Sequence, residues 1–443
     1  MYENKKIFIL GMARSGYEVA KLLSQYTKNI TIVDENDSDP HIDELKALGI
    51  NVIIADRSIQ DQYLDDSFDL VIKNPGAPID VPVMLKAQEL GLPITNEIEI
   101  AYTFWPKDIT IVGITGSNGK TTVTTLIHNI LTLSDRNAHI GGNIGYPAST
   151  LVGKVKSNDI LVLEISDRQL TNIDTFKNHI GILTNLTPTH LDFWGEYDIY
   201  KSMKKRIFIN QTANDIAIIN LDNEDSLTLT EDIPSTKKFF STKQKTDAYL
   251  EGNTIYYQDT PMVNIDELKL SGLHNYENMM TAIIACKQLN IPDEFIKEGL
   301  KNFGGVPHRI EFVKEINNIK IYNDSKSTNT TSTITALKTF NQPTVLILGG
   351  LNSNQDFSEL KDYMKHVKTV VCYGENKLFV KEAMDKLKVK VMVTDSIEEA
   401  VMASELLLEA GDVLLFSPAS ASWDQFKDFE ERGNKFKELV AEW

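Results

Sequence analysis

The chain has 443 residues, of which 42% are hydrophobic and 24% charged. That is the length of about three domains with an ordinary globular composition. Its net charge of −17 argues against a nucleic-acid or anionic-membrane partner, so any anionic ligand requires a local basic pocket. The two cysteines, Cys286 and Cys372, sit in apolar segments, fit no zinc spacing and read as small core residues in a reducing compartment.

In chain order the rhythm is strand, loop, helix, which predicts parallel α/β units. The first block covers residues 1–97. It opens with the buried strand KKIFILG, the turn GMARSG and the amphipathic helix YEVAKLLSQY. NITIVDEN follows as a strand ending in Asp34, and DLVIKNPGAP as a later one. GMARSG is a reduced dinucleotide turn: Gly11 and Gly16 frame it, but Ala13 stands where a middle glycine would let a pyrophosphate approach. Asp34 lies where a ribose hydroxyl would be held. The apolar run IFIL is too short for a signal-peptide core, and no stretch is long enough to cross a bilayer, so the expectation is a cytoplasmic protein.

The middle block, residues 98–303, opens with the strand DITIVGIT and the helix TTVTTLIHNILTL. DILVLEIS, HIGILTNL and DIAIIN are further strands, and GLHNYENMMTAIIACKQL is a long helix near its end. Between the first strand and helix stands TGSNGKTT, residues 115–122. Its glycines are spaced differently from the usual phosphate loop, yet strand, Gly-Lys-Thr and helix occur in the required order. Glycines let successive N–H groups face phosphate oxygens, and the helix adds the positive end of its dipole. Lys120 can reach terminal phosphates, and Thr121 offers a hydroxyl to magnesium. A glycine-rich capped turn is the bland alternative. Ligands of open parallel sheets bind beyond the carboxyl ends of the strands, and Glu164 and His190 fall on that same predicted edge. Each alone is weak, since most strand-end acids and histidines are structural. IYKSMKKRI, residues 199–207, reads on composition as a solvated basic helix face.

The third block, residues 304–443, begins near FGGVPHRIEF. IKIYND, PTVLILGG, TVVCYG, KVMVTDS and DVLLFSPA read as strands, and DQFKDFEERGNKFKELVAEW as the closing helix. The expected fold is α/β with three domains: a Rossmann-like N-terminal domain, a central ATPase-type parallel sheet with the phosphate loop, and a Rossmann-like C-terminal domain.

Taken together, several segments resemble the Mur ligases of peptidoglycan synthesis. They are TGSNGKTT (115–122), GGNIG (141–145), LEIS (163–166), NLTPTHLD (185–192), HNYEN (274–278), PHR (307–309), NDSKSTN (323–329) and SPASASWDQFKDFEERG (417–433). They occur in family order across all three blocks, and the last two resemble the glutamate-adding branch. The resemblance implies an ATP-dependent ligase that adds D-glutamate to UDP-N-acetylmuramoyl-L-alanine through an acyl phosphate. It implies a bacterial cytoplasmic monomer with no nucleic-acid partner and no membrane insertion. Ala13, Arg14, Ser15, Asp34, Asn74 and Gly76 would bind the UDP portion, with Asn143, Ser166 and Gln169 on the sugar and peptide side. Gly116, Ser117, Asn118, Gly119, Lys120, Thr121, Thr122, Asn278, Arg309 and Asp324 would bind ATP. Thr121, Glu164, His190 and Lys204 would serve Mg²⁺. The lysine matching Lys204 is carbamylated in the family, with Lys205 its neighbouring competitor. Lys120, His190, Lys204 and Lys326 would be the catalytic set, and Lys326, Thr328, Ser422 and Phe429 would meet the amino acid. Closure of the third block over the middle one is expected to keep water from the acyl phosphate.

Two departures from the family pattern stand out. Asp167-Arg168-Gln169 occupies the place of Ser-Phe-Gln, and a pairing of Asp167 with Arg168 would reconcile the new charge with its surroundings. Ser353 stands where the glutamate branch carries a cation. A Mur-type paralogue with another amino acid or a regulatory role is therefore an alternative. A nicotinamide oxidoreductase built on GMARSG is a distant alternative, and a folylpolyglutamate synthase, which shares the phosphate-loop style, is another.

Overall fold

A computed structural model describes residues 2–189, 191–352 and 355–443. His190 and Ser353 lie outside the described residues. The chain divides into two compact units, Met1–Phe303 and Gly304–Trp443. Three α/β domains, each built on one sheet, are distributed over them, two in the first unit and one in the second.

The first sheet has the order Asn51–Ile54, Ile30–Asp34, Ile7–Leu10, Leu70–Lys73, Ile94–Thr95, parallel throughout. IFIL is buried along its whole length because helices cover both faces. Ile7 and Ile9 pack with Val19 and Leu23 on one side, and Phe8 and Leu10 with Val83 and Met84 on the other. Each fully buried Ile, Leu or Phe contributes about 1.5–3 kcal/mol of transfer free energy. The chain leaves Ile7–Leu10 toward one edge and returns on the other side as Leu70–Lys73. By the rule for open parallel sheets this reversal marks the ligand position, at the turn after Leu10 and the loop after Lys73, where Asn74 packs against Gly11. The helix after the turn runs Arg14–Ser24, so it begins inside GMARSG rather than at Tyr17.

The central sheet has the order Thr260–Asn264, Thr254–Tyr257, Ala248–Glu251, Thr236–Ser241, Ile216–Asn220, Ile180–Leu183, Thr110–Thr115, Ile160–Glu164, Ala138–Gly142. It is parallel from Ala138–Gly142 through Ala248–Glu251, but two antiparallel strands extend its other edge. The expected central parallel sheet is therefore present, with an antiparallel extension that the sequence reading did not include. The last hairpin turns at Gln258 and Asp259, both with positive φ (45° and 65°), the conformation of a tight primed turn. Gln-Asp is a poor sequence signal for it, which is why the hairpin was missed.

The sheet of the second unit runs Glu311–Ile316, Ile319–Asn323, Val413–Phe416, Thr344–Gly349, Val367–Tyr373, Val391–Val393. Its first pair is antiparallel, joined at Asn317 and Asn318 with φ of 50° and 62°, and the remaining pairs are parallel. The closing helix is Phe429–Ala441, shorter than the expected segment because the Asp428 carboxylate accepts from Glu431 N and fixes the start there. Both cysteines are buried free thiols. Among the described residues no helix is long and apolar enough to cross a membrane.

Candidate functional site

The phosphate-loop segment connects strand Thr110–Thr115 to helix Lys120–Leu133. Two of its glycines are obligatory. Gly116 has φ of 142°, and a Cβ there would sit 2.0 Å from Thr184 Oγ1; Gly119 has φ of 82°, and its Cβ would sit 2.3 Å from Asn278 Oδ1. No L side chain fits either backbone. The loop is braced by the segment after strand Ile180–Leu183. Ser117 N donates to Asn185 O at 2.9 Å, Asn118 N to Asn185 Oδ1 at 3.0 Å, and Thr184 Oγ1 to Asn118 O at 2.6 Å. Lys120 Nζ donates to the loop's own carbonyls, Gly116 O at 2.7 Å and Ser117 O at 2.9 Å.

Thr121 is one residue into the helix, on the face that meets the end of strand Ile160–Glu164. Its Oγ1 donates to Glu164 Oε2 at 2.8 Å, and Asn143 Nδ2 donates to Glu164 Oε1 at 2.7 Å. Glu164 is 2% exposed, and both its oxygens meet neutral donors. Among the described residues no cation forms an ion pair with this carboxylate, an environment that suits a hard metal ion taking oxygen ligands. Among the described residues no group of three His, Cys, Asp or Glu could hold a metal by itself. The Thr121 hydroxyl and the Glu164 carboxylate are oxygen donors of the kind magnesium takes.

Helix Tyr197–Lys205 gives the two lysines different surroundings. Tyr200 and Lys204 are its buried residues, four apart and hence on one face. Lys205 instead pairs with the exposed Asp232. Lys204 Nζ lies 3.1 Å from Asp167 Oδ1, with side-chain exposures of 1% and 6%. Trp194 Nε1 donates to Asp167 Oδ2 at 2.7 Å. Burial pushes the Lys204 amine down despite the attraction of Asp167, whereas Asp167 is held below the usual carboxylate range although burial opposes it, chiefly by Lys204 and then Trp194. The asymmetry has a cause: the carboxylate has two donors, the ammonium one acceptor. Tyr200 OH completes the link to the loop, at 2.9 Å from Ser117 Oγ and accepting from Thr189 Oγ1 at 3.0 Å.

The structure thus gathers Lys120, Thr121, Glu164 and Asn143 at one sheet rim, with Lys204 behind them and Asn278 against Gly119. Gly116, Ser117 and Asn118 form the loop itself, and Thr122 follows in the helix. The anticipated pairing of Asp167 with Arg168 is not what forms. Asp167 turns to Lys204 and Trp194, and the Arg168 guanidinium lies 4.0 Å from the centre of the Phe193 ring. Ser166 and Gln169 cap the short helix Asp167–Leu170 reciprocally. Asp34 is also engaged internally: its carboxylate accepts from Met12 N and from Asn36 N at 2.9 Å, so it stiffens the turn that carries Ala13, Arg14 and Ser15. Asn74 bonds Ala13 O at 3.4 Å and receives Gly76 N at 3.2 Å. Reasoning from sequence missed Tyr200, Asp167 and Trp194 as neighbours of the centre; the spacing of Tyr200 and Lys204 on one helix was the available signal.

In the second unit Asp324 is 2% exposed. It accepts from Ile310 N at 3.1 Å, Ser327 Oγ at 2.5 Å and Ser417 Oγ at 2.6 Å. Burial still raises its pKa to about 6. The Lys326 ammonium stands 5.7 Å from the centre of the Phe429 ring, Ser422 is buried, and Thr328 is half-buried. Arg309 follows His308 at the start of this unit, where His308 N donates to Glu311 Oε2 at 2.8 Å.

With this geometry in view, the chain matches three family models in succession. Residues 5–96 match the Mur ligase MurD-like N-terminal domain, residues 114–286 the Mur ligase middle domain, and residues 308–420 the Mur ligase glutamate ligase domain. It is 38% identical over 439 residues to a UDP-N-acetylmuramoylalanine--D-glutamate ligase of Staphylococcus aureus strain MW2, covering 98% of this chain and 96% of the relative. Its fold is that of a UDP-N-acetylmuramate-alanine ligase from Thermotoga maritima (TM-score 0.57, 20% identity, 99% of each chain). A murein peptide ligase from Psychrobacter arcticus shares the fold too (TM-score 0.52, 16% identity, 99% of each chain).

Proposed function

The chain belongs to the Mur ligase family, and from that premise we propose that it joins D-glutamate to the L-alanine carboxylate of UDP-N-acetylmuramoyl-L-alanine at the cost of ATP. The observation that carries this reading is the joining of Thr121 and Asn143 to the buried Glu164 directly beneath a braced phosphate loop. The full-length likeness to relatives bearing that name supports the choice of substrate.

The chemistry follows from the reactants. A carboxylate does not condense with an amine in water, because hydroxide leaves poorly. Transfer of the γ-phosphoryl group of ATP to the carboxylate makes an acyl phosphate and ADP. The amine then adds to the acyl carbon, and the tetrahedral adduct expels inorganic phosphate as the amide forms. Lys120 would leave its loop carbonyls for the incoming phosphates, placing a cation where charge accumulates. Thr121 and Glu164 would hold Mg²⁺, which supplies charge neutralisation when bound. Asn143 fixes the Glu164 carboxylate in place. In this reading Asn278, Arg309 and Asp324 contact the nucleotide. Lys326, Thr328, Ser422 and Phe429 receive the amino acid, and Ala13, Arg14, Ser15, Asp34, Asn74 and Gly76 frame the UDP portion with Ser166 and Gln169 nearer the peptide. His190 would be a further metal-site residue.

Lys204 is the residue that would carry the carbamate, an anionic oxygen group for the metal site. The structure adds a condition to that reading. A carbamate beside Asp167 places two anions together, so the modification should require the divalent ion.

The test is direct. Protein with ATP, Mg²⁺ and UDP-N-acetylmuramoyl-L-alanine is offered D-glutamate, L-glutamate and other amino acids singly, and phosphate release and product mass are recorded. Product with D-glutamate is expected; product with none of them would sink the ligase reading. Product only with another amino acid would point to a paralogue, the outcome that Ser353 and Arg168 keep in view.

A further inference from the structure

Lys73 is the last residue of strand Leu70–Lys73, yet it is only 2% exposed. It is paired in register with Leu10, immediately before the Gly11 turn. Among the described residues its sole hydrogen bond is to a neutral acceptor, Asn74 O, at 3.3 Å. No carboxylate pairs with it among the described residues. Arg168 is the same case on the facing element. Its contact is the Phe193 ring, and it has neither an ion pair nor a hydrogen bond among the described residues.

The two elements are tied together. Strand Ile94–Thr95 pairs with Leu70–Lys73, Ile72 opposite Thr95. The next residue, Asn96, is therefore level with Lys73. Asn96 Nδ2 donates to Gln169 O at 2.6 Å, a buried bond, so helix Asp167–Leu170 is fixed beside the end of the Lys73 strand. Arg168 accordingly acts on Lys73: after burial, its charge is the other influence that lowers the lysine, to about 8.

Among the described residues no anion meets either cation, and an unpaired buried charge such as that of Lys73 is costly. Folding alone gives no reason to keep them, because a methionine and the aromatic ring common in the family would fill the space without charge. Lys73 immediately precedes the Asn74 loop and pairs with Leu10 beside the Gly11 turn, the two segments that frame the UDP portion of the substrate in the proposed function. We propose that Lys73 and Arg168 form one anion-receiving pair for that substrate, binding a single oxyanion group, either its diphosphate or its terminal carboxylate. This rests on the substrate class given under the proposed function. It gives Arg168 a purpose that its departure from the family pattern otherwise lacks.

The experiment compares Lys73→Met, Arg168→Phe and the double variant with the parent by calorimetric binding of two probes. UDP-N-acetylglucosamine has the diphosphate and no carboxylate; UDP-N-acetylmuramoyl-L-alanine has both. Each single variant should lose about tenfold or more in affinity, and the double variant less than the product of the two losses. Weakening toward both probes assigns the diphosphate, and weakening toward the second alone assigns the carboxylate. Thermal unfolding supplies the independent readout: Lys73→Met should unfold at the same or a higher temperature, because it removes an unpaired buried charge, whereas a structural lysine would lower it. Unchanged affinity for both probes in both single variants overturns the proposal, as does a rise only in the amino-acid KM, or a parent protein that binds neither probe. A parent that binds both probes but makes no amide leaves the pair standing and removes the ligase reading instead.

Discussion

Removing one member of the Asp167–Lys204 pair has a cost that can be worked out from its surroundings. In Asp167→Asn the Lys204 ammonium, 1% exposed, loses the one carboxylate that forms an ion pair with it among the described residues. Breaking a buried ion pair in this way costs about 3–5 kcal/mol. The lysine has one escape, which is to fold as the neutral amine. At pH 7 that costs about 1.36 × (10.4 − 7), or roughly 4.6 kcal/mol, and at pH 9 only about 1.9. The sign follows from linkage. A lysine whose pKa is depressed in the folded state binds fewer protons there than in the unfolded chain, so stability rises with pH toward the unfolded value. Asp167→Asn should therefore be destabilised by about 4 kcal/mol at pH 7 and by about half that at pH 9. Lys204→Met leaves the carboxylate with Trp194 as its remaining donor and should cost a similar amount. The double variant should recover most of the loss, because no charge is left buried. The assay is urea denaturation of all four proteins in CO₂-free buffer at both pH values. A cost below about 1 kcal/mol for Asp167→Asn, or additive losses in the double variant, would refute the reasoning. A stabilising Asp167→Asn would show that Lys204 already carries a negative group.

Four other outcomes follow from the same geometry. Gly119→Ala places a Cβ 2.3 Å from Asn278 Oδ1 at φ of 82°; it should cost about 1–2 kcal/mol in backbone strain alone and abolish the thermal shift given by an ATP analogue. Glu164→Gln keeps the shape but removes the charge; kcat should fall about a hundredfold or more with a raised Mg²⁺ requirement and unchanged uridine-nucleotide affinity, and a normal Mg²⁺ titration would contradict the metal role. Labelled bicarbonate should give a ¹³C carbamate signal only when Mg²⁺ is present, lost in Lys204→Met but not in Lys205→Met. Glu97 is buried, its Oε1 accepting from Ser149 N and its Oε2 without a hydrogen-bond partner among the described residues. Burial raises its pKa to about 7, so the folded state holds the proton longer. Stability should drop by about 3 kcal/mol as pH rises from 4.5 to above 7, and Glu97→Gln should flatten that slope in denaturant titrations.

The sequence by itself determined the features whose parts are contiguous. The strand of alternating cores, the glycine loop, Lys120, Thr121 and the helix occupy one short run, and local backbone geometry is enough to read them. Apolar strands buried on both faces announced the parallel sheets for the same reason. The tertiary structure decided whatever depends on residues meeting across the sheet. Asn143 and Thr121 close on Glu164, Asp167 chooses Lys204 over its neighbour Arg168, and the Asn96–Gln169 bond sets the helix bearing Arg168 beside the strand that ends in Lys73. It also decided the two hairpins, whose Gln-Asp and Asn-Asn turns take positive φ only because the flanking strands require that twist. Charge and hydrogen-bond partners are settled by burial, and burial is a property of the packed fold that no short window of sequence contains.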